Sequence, residues 1–192
     1  MRKAKVAISP GFLLLAAWLN YMDDQGVLPG VFLSCVLHEL GHLAVLSVLE
    51  IPVKGIRITA VGAEICVQGG VSYWGELLAV LAGPMVNFLL AGICCRIPGG
   101  AILAGVNLVL GGFNLLPVGS LDGGRALSCL LALTAGQERG EKWAQSLSYV
   151  FAVVLCAAGW YLLCLGGNPT LLLVSFWLLF AVVSHKDVKR DK

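Results

Sequence analysis

Charge is what this chain has least of. Its 13 Lys and Arg and 11 Asp and Glu amount to 12% of 192 residues, against about 25% in soluble domains. Apolar side chains fill the deficit, at 58% of the total. There are too few charges to coat a water-facing surface, which excludes a soluble or disordered chain. Net charge is only +2 and the cations are not gathered on one face, so nucleic acid is excluded as a partner. Histidine is scarce too, and any imidazole site has to be built from His38, His42 and His185. Cysteine is not scarce, but Cys35, Cys94, Cys95, Cys156 and Cys164 sit inside apolar runs. There they read as small apolar residues, not as the staples of a secreted disulfide scaffold.

What remains is hydrophobic length. Mean hydropathy is +0.88, and apolar runs occupy 8–22, 27–49, 74–95, 100–117, 147–165 and 169–184. One helical crossing takes about 20 residues. The chain therefore reads as an all-α membrane protein of six transmembrane helices, a single polytopic domain over 1–192 with no room for an appended soluble domain. The basic start followed by an apolar run imitates a signal peptide, but no small-x-small cleavage site follows, and Asn20 to Asp24 reads as the loop after a retained first span. With the N-terminus inside, Arg2, Lys3, Lys5, Lys54, Arg57, Arg125, Arg139, Lys142, Lys186, Lys189, Arg190 and Lys192 all fall inside and only Arg96 outside. The positive-inside rule then places both termini in the cytoplasm, in a multi-pass protein of the cell membrane.

Two connections carry more than linker chemistry. Residues 53–67 (VKGIRITAVGAEICV) put apolar side chains at near-alternate positions, Ile56 and Ile58, then Val61, Ala63, Ile65 and Val67, with Gly62 as a turn residue. That is strand periodicity, and it predicts a small β-hairpin at the cytoplasmic face between spans two and three. Residues 116–124 (LPVGSLDGG) are too rich in Pro and Gly to extend span four, and Gly123 and Gly124 are expected to lead into a short helix from Arg125 to about Leu133. No internal repeat suggests a transporter built from inverted halves.

Span two contains His38-Glu39-Leu40-Gly41-His42. At i and i+4 on a helix the two histidines share one face and offer two imidazole nitrogens to one metal ion, with Glu39 in reach of a water on that metal. Glu39 is the only carboxylate in the core of any span, and an ionisable group at membrane depth is expensive unless it works or is paired. The bland alternative is a polar cluster holding helices together. A catalytic zinc site usually takes three protein ligands and keeps one position for water. His185 lies in the charged tail, and Glu50, Glu64 and Glu76 lie near the cytoplasmic boundary. Asp122 is better placed, where span four breaks into a Gly-rich turn. Taken alone it serves equally as a cap for the following helix or as a partner of Arg125.

Three separated motifs together resemble the site-2 intramembrane metalloproteases, the M50-like family: HELGH at 38–42, Gly83-Pro84-Met85-Val86-Asn87 in span three, and Asn114-Leu-Leu-Pro117 followed by Leu121-Asp122-Gly123-Gly124. The six-span, N-in plan is most similar to the branch containing the pro-sigma-K processing protease of spore formers, without that enzyme's CBS domain or the PDZ domain of another branch. Ser120 stands where a proline often precedes the leucine of the last motif. The resemblance implies one Zn²⁺ per chain held by His38, His42 and Asp122, with Glu39 as the catalytic base, and it brings Asn87 and Asn114 near the substrate.

The implied activity is hydrolysis of a peptide bond of a membrane-protein substrate in or beside the lipid bilayer. A substrate helix hides its carbonyls in i to i−4 bonds and has to unwind first. The hairpin strand carrying Ile56 and Ile58 is expected to pair with the unwound segment and hold it extended. Two rival readings are a metal transporter and a catalytically silent scaffold that binds membrane proteins. A transport path needs polar ligands in several spans, and spans one, three, five and six have no charge in their cores. A silent scaffold does not explain why every expected catalytic residue type is present. The substrate's identity and any oligomeric state are not written in the sequence.

Overall fold

The computed structural model describes residues 5–24, 26–59 and 62–190. It divides into two compact units, Met1–Gly112 and Phe113–Lys192. The first unit holds β1 (Lys5–Ile8), α1 (Pro10–Met22), α2 (Leu28–Val48), β2 (Val53–Thr59), β3 (Gly62–Val67), α3 (Tyr73–Cys94) and most of α4 (Ala101–Asn114). Local chemistry sets where its helices begin and end. Ser9 takes extended backbone and its Oγ accepts from Phe12 N at 3.2 Å, and Pro10 sits in the first turn, where a missing N–H costs nothing. Asp23 accepts from Val27 N at 3.0 Å and Leu28 N at 2.7 Å, so one carboxylate satisfies two donors at the positive end of α2. At the other end of α2, Glu50 adopts φ 55° and Ile51 N donates to Leu46 O at 2.9 Å, a left-handed closure that Pro52 prevents from resuming as helix.

The hairpin forms, and a third strand joins it. β2 pairs antiparallel with β3, with Ile56 opposite Ile65 and Ile58 opposite Ala63, and parallel with β1, with Ile8 beside Ile58. A bulge at Lys54 shifts the register by one residue, which keeps Val53 opposite Val67 on the same apolar face. Gly62, expected at the turn, opens β3, and Val61, expected in the alternating pattern, lies outside the described residues. The strand order β1-β2-β3 corrects one expectation. Ile56 and Ile58 lie on the central strand, whose backbone is paired on both sides by the chain itself, so β2 has no edge to offer a substrate. The outer edges belong to β1 and β3. The N-terminal residues of β1 precede the first apolar run, so span periodicity carried no sign of them.

Among the described residues, three helices are long and apolar enough to cross a membrane: α2, α3 and α6 (Gln137–Cys164). α4 and the Thr170–Val183 part of α7 (Thr170–Arg190) are apolar but shorter. The fold is mostly helical with a three-stranded sheet, and the expected spans differ from the helices in instructive ways. Span four was expected to reach residue 117, but α4 stops at Asn114, because Pro117 disfavours helical backbone in the residue before it. Span five was expected from residue 147, and α6 starts ten residues earlier. Gln137, Glu138, Arg139, Glu141 and Lys142 form helix as readily as leucine while contributing nothing to hydropathy.

The second unit holds α5 (Asp122–Ala135), α6 and α7 around a core of Val118, Leu121, Leu178 and Val182. The short helix begins at Asp122, three residues earlier than expected. Gly123 and Gly124 are not a lead-in but the helix's own first turn, and both are buried. A Cβ on Gly123 would overlap the Leu115 carbonyl, and one on Gly124 the Val118 carbonyl. The two glycines therefore let the 115–119 backbone fold down onto the start of α5. Val118, which is fully buried, and Leu121 anchor that loop in the core. Asp122 is held at the N-terminal turn from both sides in sequence, and Leu121 occupies the cap position.

Candidate active site

α2 buries one stripe, Ser34, His38, Gly41, His42 and Leu46, and the two histidines of HELGH lie on it at 4% and 7% exposure. Their neighbour is α3. Gly41 lets the helices approach, since a Cβ there would meet the Ala82 carbonyl at 3.0 Å. Each imidazole is fixed through its Nδ1. His42 Nδ1 lies 2.7 Å from the Ala79 carbonyl and His38 Nδ1 is bonded to Asn87 Oδ1. Both partners are acceptors, so both Nδ1 atoms carry the proton and donate. The lone pair is thereby left on Nε2 of each ring, and the two Nε2 atoms face each other at 3.1 Å.

That arrangement fits a metal ion. Zn–N bonds of about 2.0–2.1 Å at tetrahedral angles put two nitrogens roughly 3.3 Å apart. A cation shared between the two Nε2 atoms would be held by both imidazoles at once. Second-shell carbonyl or amide acceptors on Nδ1 are the usual way a ligating histidine is oriented. The floor of the site is Gly83, where a Cβ would overlap Nε2 of both His38 and His42. Any other residue at that position would fill the space in which the two Nε2 atoms meet. Pro84, the next residue of the motif, is buried inside α3.

Asn87 is fully buried and bonded on both ends of its amide, to His38 and, at 2.8 Å from its Nδ2, to Asn107 Oδ1. Asn107, on α4, is 2% exposed and donates from Nδ2 to Ser34 Oγ and to Leu103 O, each at 2.9 Å. Glu39 follows His38 on α2 and is half-buried, and Glu76 lies in the first turn of α3. In the second unit Asn114 ends α4 and Asp122 opens α5, both half-buried. Glu50 closes α2. The side chains of Glu64 and His185 lie outside the described ones.

With this geometry in hand, similarity to known proteins is specific. The model of peptidase family M50 matches residues 100–157, which take in Asn114 and Asp122. A zinc metalloprotease of Methanocaldococcus jannaschii is 30% identical over 169 residues, 82% of this chain and 48% of the relative. The solved structure of the site-2 protease from the same organism superposes with a TM-score of 0.70 at 27% identity, over 96% of this chain and 91% of that one. The chain belongs to the M50 site-2 protease-like family. It spans less than half the length of the curated relatives it matches.

Two residues of this M50 protein escaped the sequence reading, Asn107 and Ser34. Asn107 bonds to Asn87, the asparagine that holds His38, and Ser34 in turn bonds to Asn107. Asn107 left a trace, being a lone amide in the middle of an apolar run, and that polar residue has to find a partner at membrane depth. Ser34 left none, because serine is not unusual in a membrane helix.

Proposed function

We propose that the chain is an intramembrane zinc metalloendopeptidase, one Zn²⁺ per chain, hydrolysing a peptide bond of a membrane-associated protein in or near the bilayer. The observation that carries this reading is the buried pair of Nδ1-protonated histidines whose Nε2 atoms converge over Gly83, one residue from Glu39. His38, His42 and Asp122 are the proposed ligands. Two histidines leave a catalytic zinc one ligand short, and a carboxylate at the positive end of α5 supplies the missing charge. When held by these residues, zinc would lower the pKa of a water toward about 7 and would polarise the scissile carbonyl. Glu39 takes the proton from the attacking water and delivers it to the leaving amine, and both transfers need a carboxylate within hydrogen-bond reach of the reacting atoms. The direct test is zinc content and cleavage of a membrane-protein substrate by the purified chain in proteoliposomes. A metal-free protein, or a zinc-loaded one that only binds partners, is incompatible with the proposal.

The proposed topology is six crossings with both termini cytoplasmic, resting on the charge distribution along the sequence. α4, at 14 residues, rises about 21 Å against a hydrocarbon core of about 30 Å. Crossing on so short a helix requires a locally thinned bilayer or irregular chain at membrane depth buried in protein. Reporter fusions at Asp24, Ile97 and Gly167 are expected to read outside. An inside reading at Asp24 or Gly167 overturns the orientation.

Substrate pairing is assigned to the outer edge of β3, since β2 is enclosed. An unwound segment added there gains backbone bonds each worth about 1 kcal/mol. Ile65 and Cys66 are adjacent in a regular stretch of the β2–β3 ladder, so one donates its N–H inward to β2 and the other outward. Of Ile65→Pro and Cys66→Pro, the variant that loses the outward donor is expected to cleave about fivefold more slowly, one hydrogen bond's worth, with zinc content and melting temperature unchanged. Wild-type cleavage by both variants removes β3 from the mechanism.

A further inference from the structure

The polar chain behind His38 has a direction, and that direction is dictated from its far end. Ser34 Oγ donates to Gly30 O at 2.9 Å, and Asn107 Nδ2 donates to Leu103 O. A backbone carbonyl only accepts, so the end of Asn107 near Leu103 has to be its NH₂ group. Its Oδ1 therefore faces Asn87 and requires the NH₂ of Asn87 there. Asn87 Oδ1 is then turned toward α2 and accepts from His38 Nδ1. Each amide is oriented by the one before it, and the last orientation decides which nitrogen of His38 carries the proton.

We infer that Asn107 is a positioning residue: anchored on the Leu103 carbonyl, it sets through Asn87 the Nδ1–H tautomer of His38 and so presents the Nε2 lone pair as a metal ligand. Only the use of that lone pair rests on the zinc-protease reading; the tautomer itself does not. His42 needs no such relay, because the Ala79 carbonyl fixes its tautomer directly. The Nδ1 partner of His38 is a side-chain amide oxygen, whose orientation is fixed from the Leu103 carbonyl of α4 through two side chains. All members are buried, with Asn87 at 0% and Asn107 at 2% exposure, so water does not compete for the amides.

Replacing Asn107 with leucine, similar in volume and without polar atoms, leaves both orientations of Asn87 equally supported from behind. His38 then populates both tautomers. Asn107→Asp keeps an acceptor oxygen facing Asn87 Nδ2 and preserves the direction. Ser34→Ala leaves the Leu103 anchor in place and preserves it also. Imidazole ¹⁵N shifts of the full, metal-free chain in nanodiscs, with His185→Gln to simplify the spectrum, read the tautomer without reference to activity. Zinc competition with a chelator reads the ligand.

The wild type is expected to show His38 protonated on Nδ1 only. Asn107→Leu is expected to show a tautomer mixture and about 10- to 100-fold weaker zinc retention, the usual loss on removing a partner behind a ligating histidine. Asn107→Asp and Ser34→Ala are expected to match wild type in both. A proton on Nε2 of His38 in the wild type overturns the inference even if Asn107→Leu fails to fold. Wild-type tautomer and zinc retention in a folded Asn107→Leu overturn it as well. A chain whose tautomer follows Asn107 but which binds no zinc supports this inference and sinks the protease reading instead.

Discussion

Glu39→Gln is expected to retain one zinc per chain and to lose at least about 100-fold of its cleavage rate, since positioned general bases contribute roughly 10²- to 10⁴-fold. The amide is the size of the carboxylate, so packing on α2 is preserved, and it removes no ligand atom from the histidine pair. It has no basic oxygen to take a proton at neutral pH. Structural loss and chemical loss are therefore separated in one variant. The metal is measured by elemental analysis of the purified chain and cleavage by fragment yield from a membrane substrate. Turnover within about tenfold of wild type would exclude Glu39 as the base. Wild-type zinc with no cleavage is the expected pattern, and it also separates the protease from a metal transporter, in which the same change alters flux and not bond breaking.

Asp122→Asn carries the second large effect, on metal retention and activity together. A neutral amide oxygen is a poorer zinc ligand than a carboxylate, and it also removes a negative charge from the positive end of α5. Loss of a first ligand is expected to weaken zinc retention by more than the roughly 10- to 100-fold typical of a supporting residue. Glu76→Gln, in the first turn of α3, is the control and is expected to change neither. Normal zinc in Asp122→Asn together with loss in Glu76→Gln would move the third ligand to Glu76. The backbone argument favours Asp122: Gly123 and Gly124 exist as glycines because the 115–119 chain lies on them. A turn held that closely gives its aspartate little freedom, as a ligand position requires.

The apolar span-length helices, the paired histidines on one helix face and the family were legible in the sequence because each depends on local facts. An apolar run of span length has to leave water, and an i, i+4 histidine pair on a helix has to share a face, whatever the rest of the chain does. α2 and α3 accordingly fall within a residue or two of their expected bounds. Where hydropathy and helix propensity diverge, the boundaries moved. The charged first turns of α6 are helix without being apolar, and α4 ends at a proline effect inside an apolar run.

Tertiary structure alone decided the rest, since those features depend on residues distant in sequence. β1 joins β2 across some 45 residues, which turned Ile56 and Ile58 from an edge into a centre. Asn107 reaches Asn87 and Ser34 from 20 and 73 residues away. No periodicity encodes a side-chain hydrogen bond of that range. Such a bond forms because a buried amide in an apolar surrounding is costly until it is paired, and which partner it meets depends on how the helices pack. The sequence determined which polar residues enter the apolar helices; packing determined that a glycine makes room for the two Nε2 atoms and that an asparagine on another helix bonds to the amide that holds one of the imidazoles.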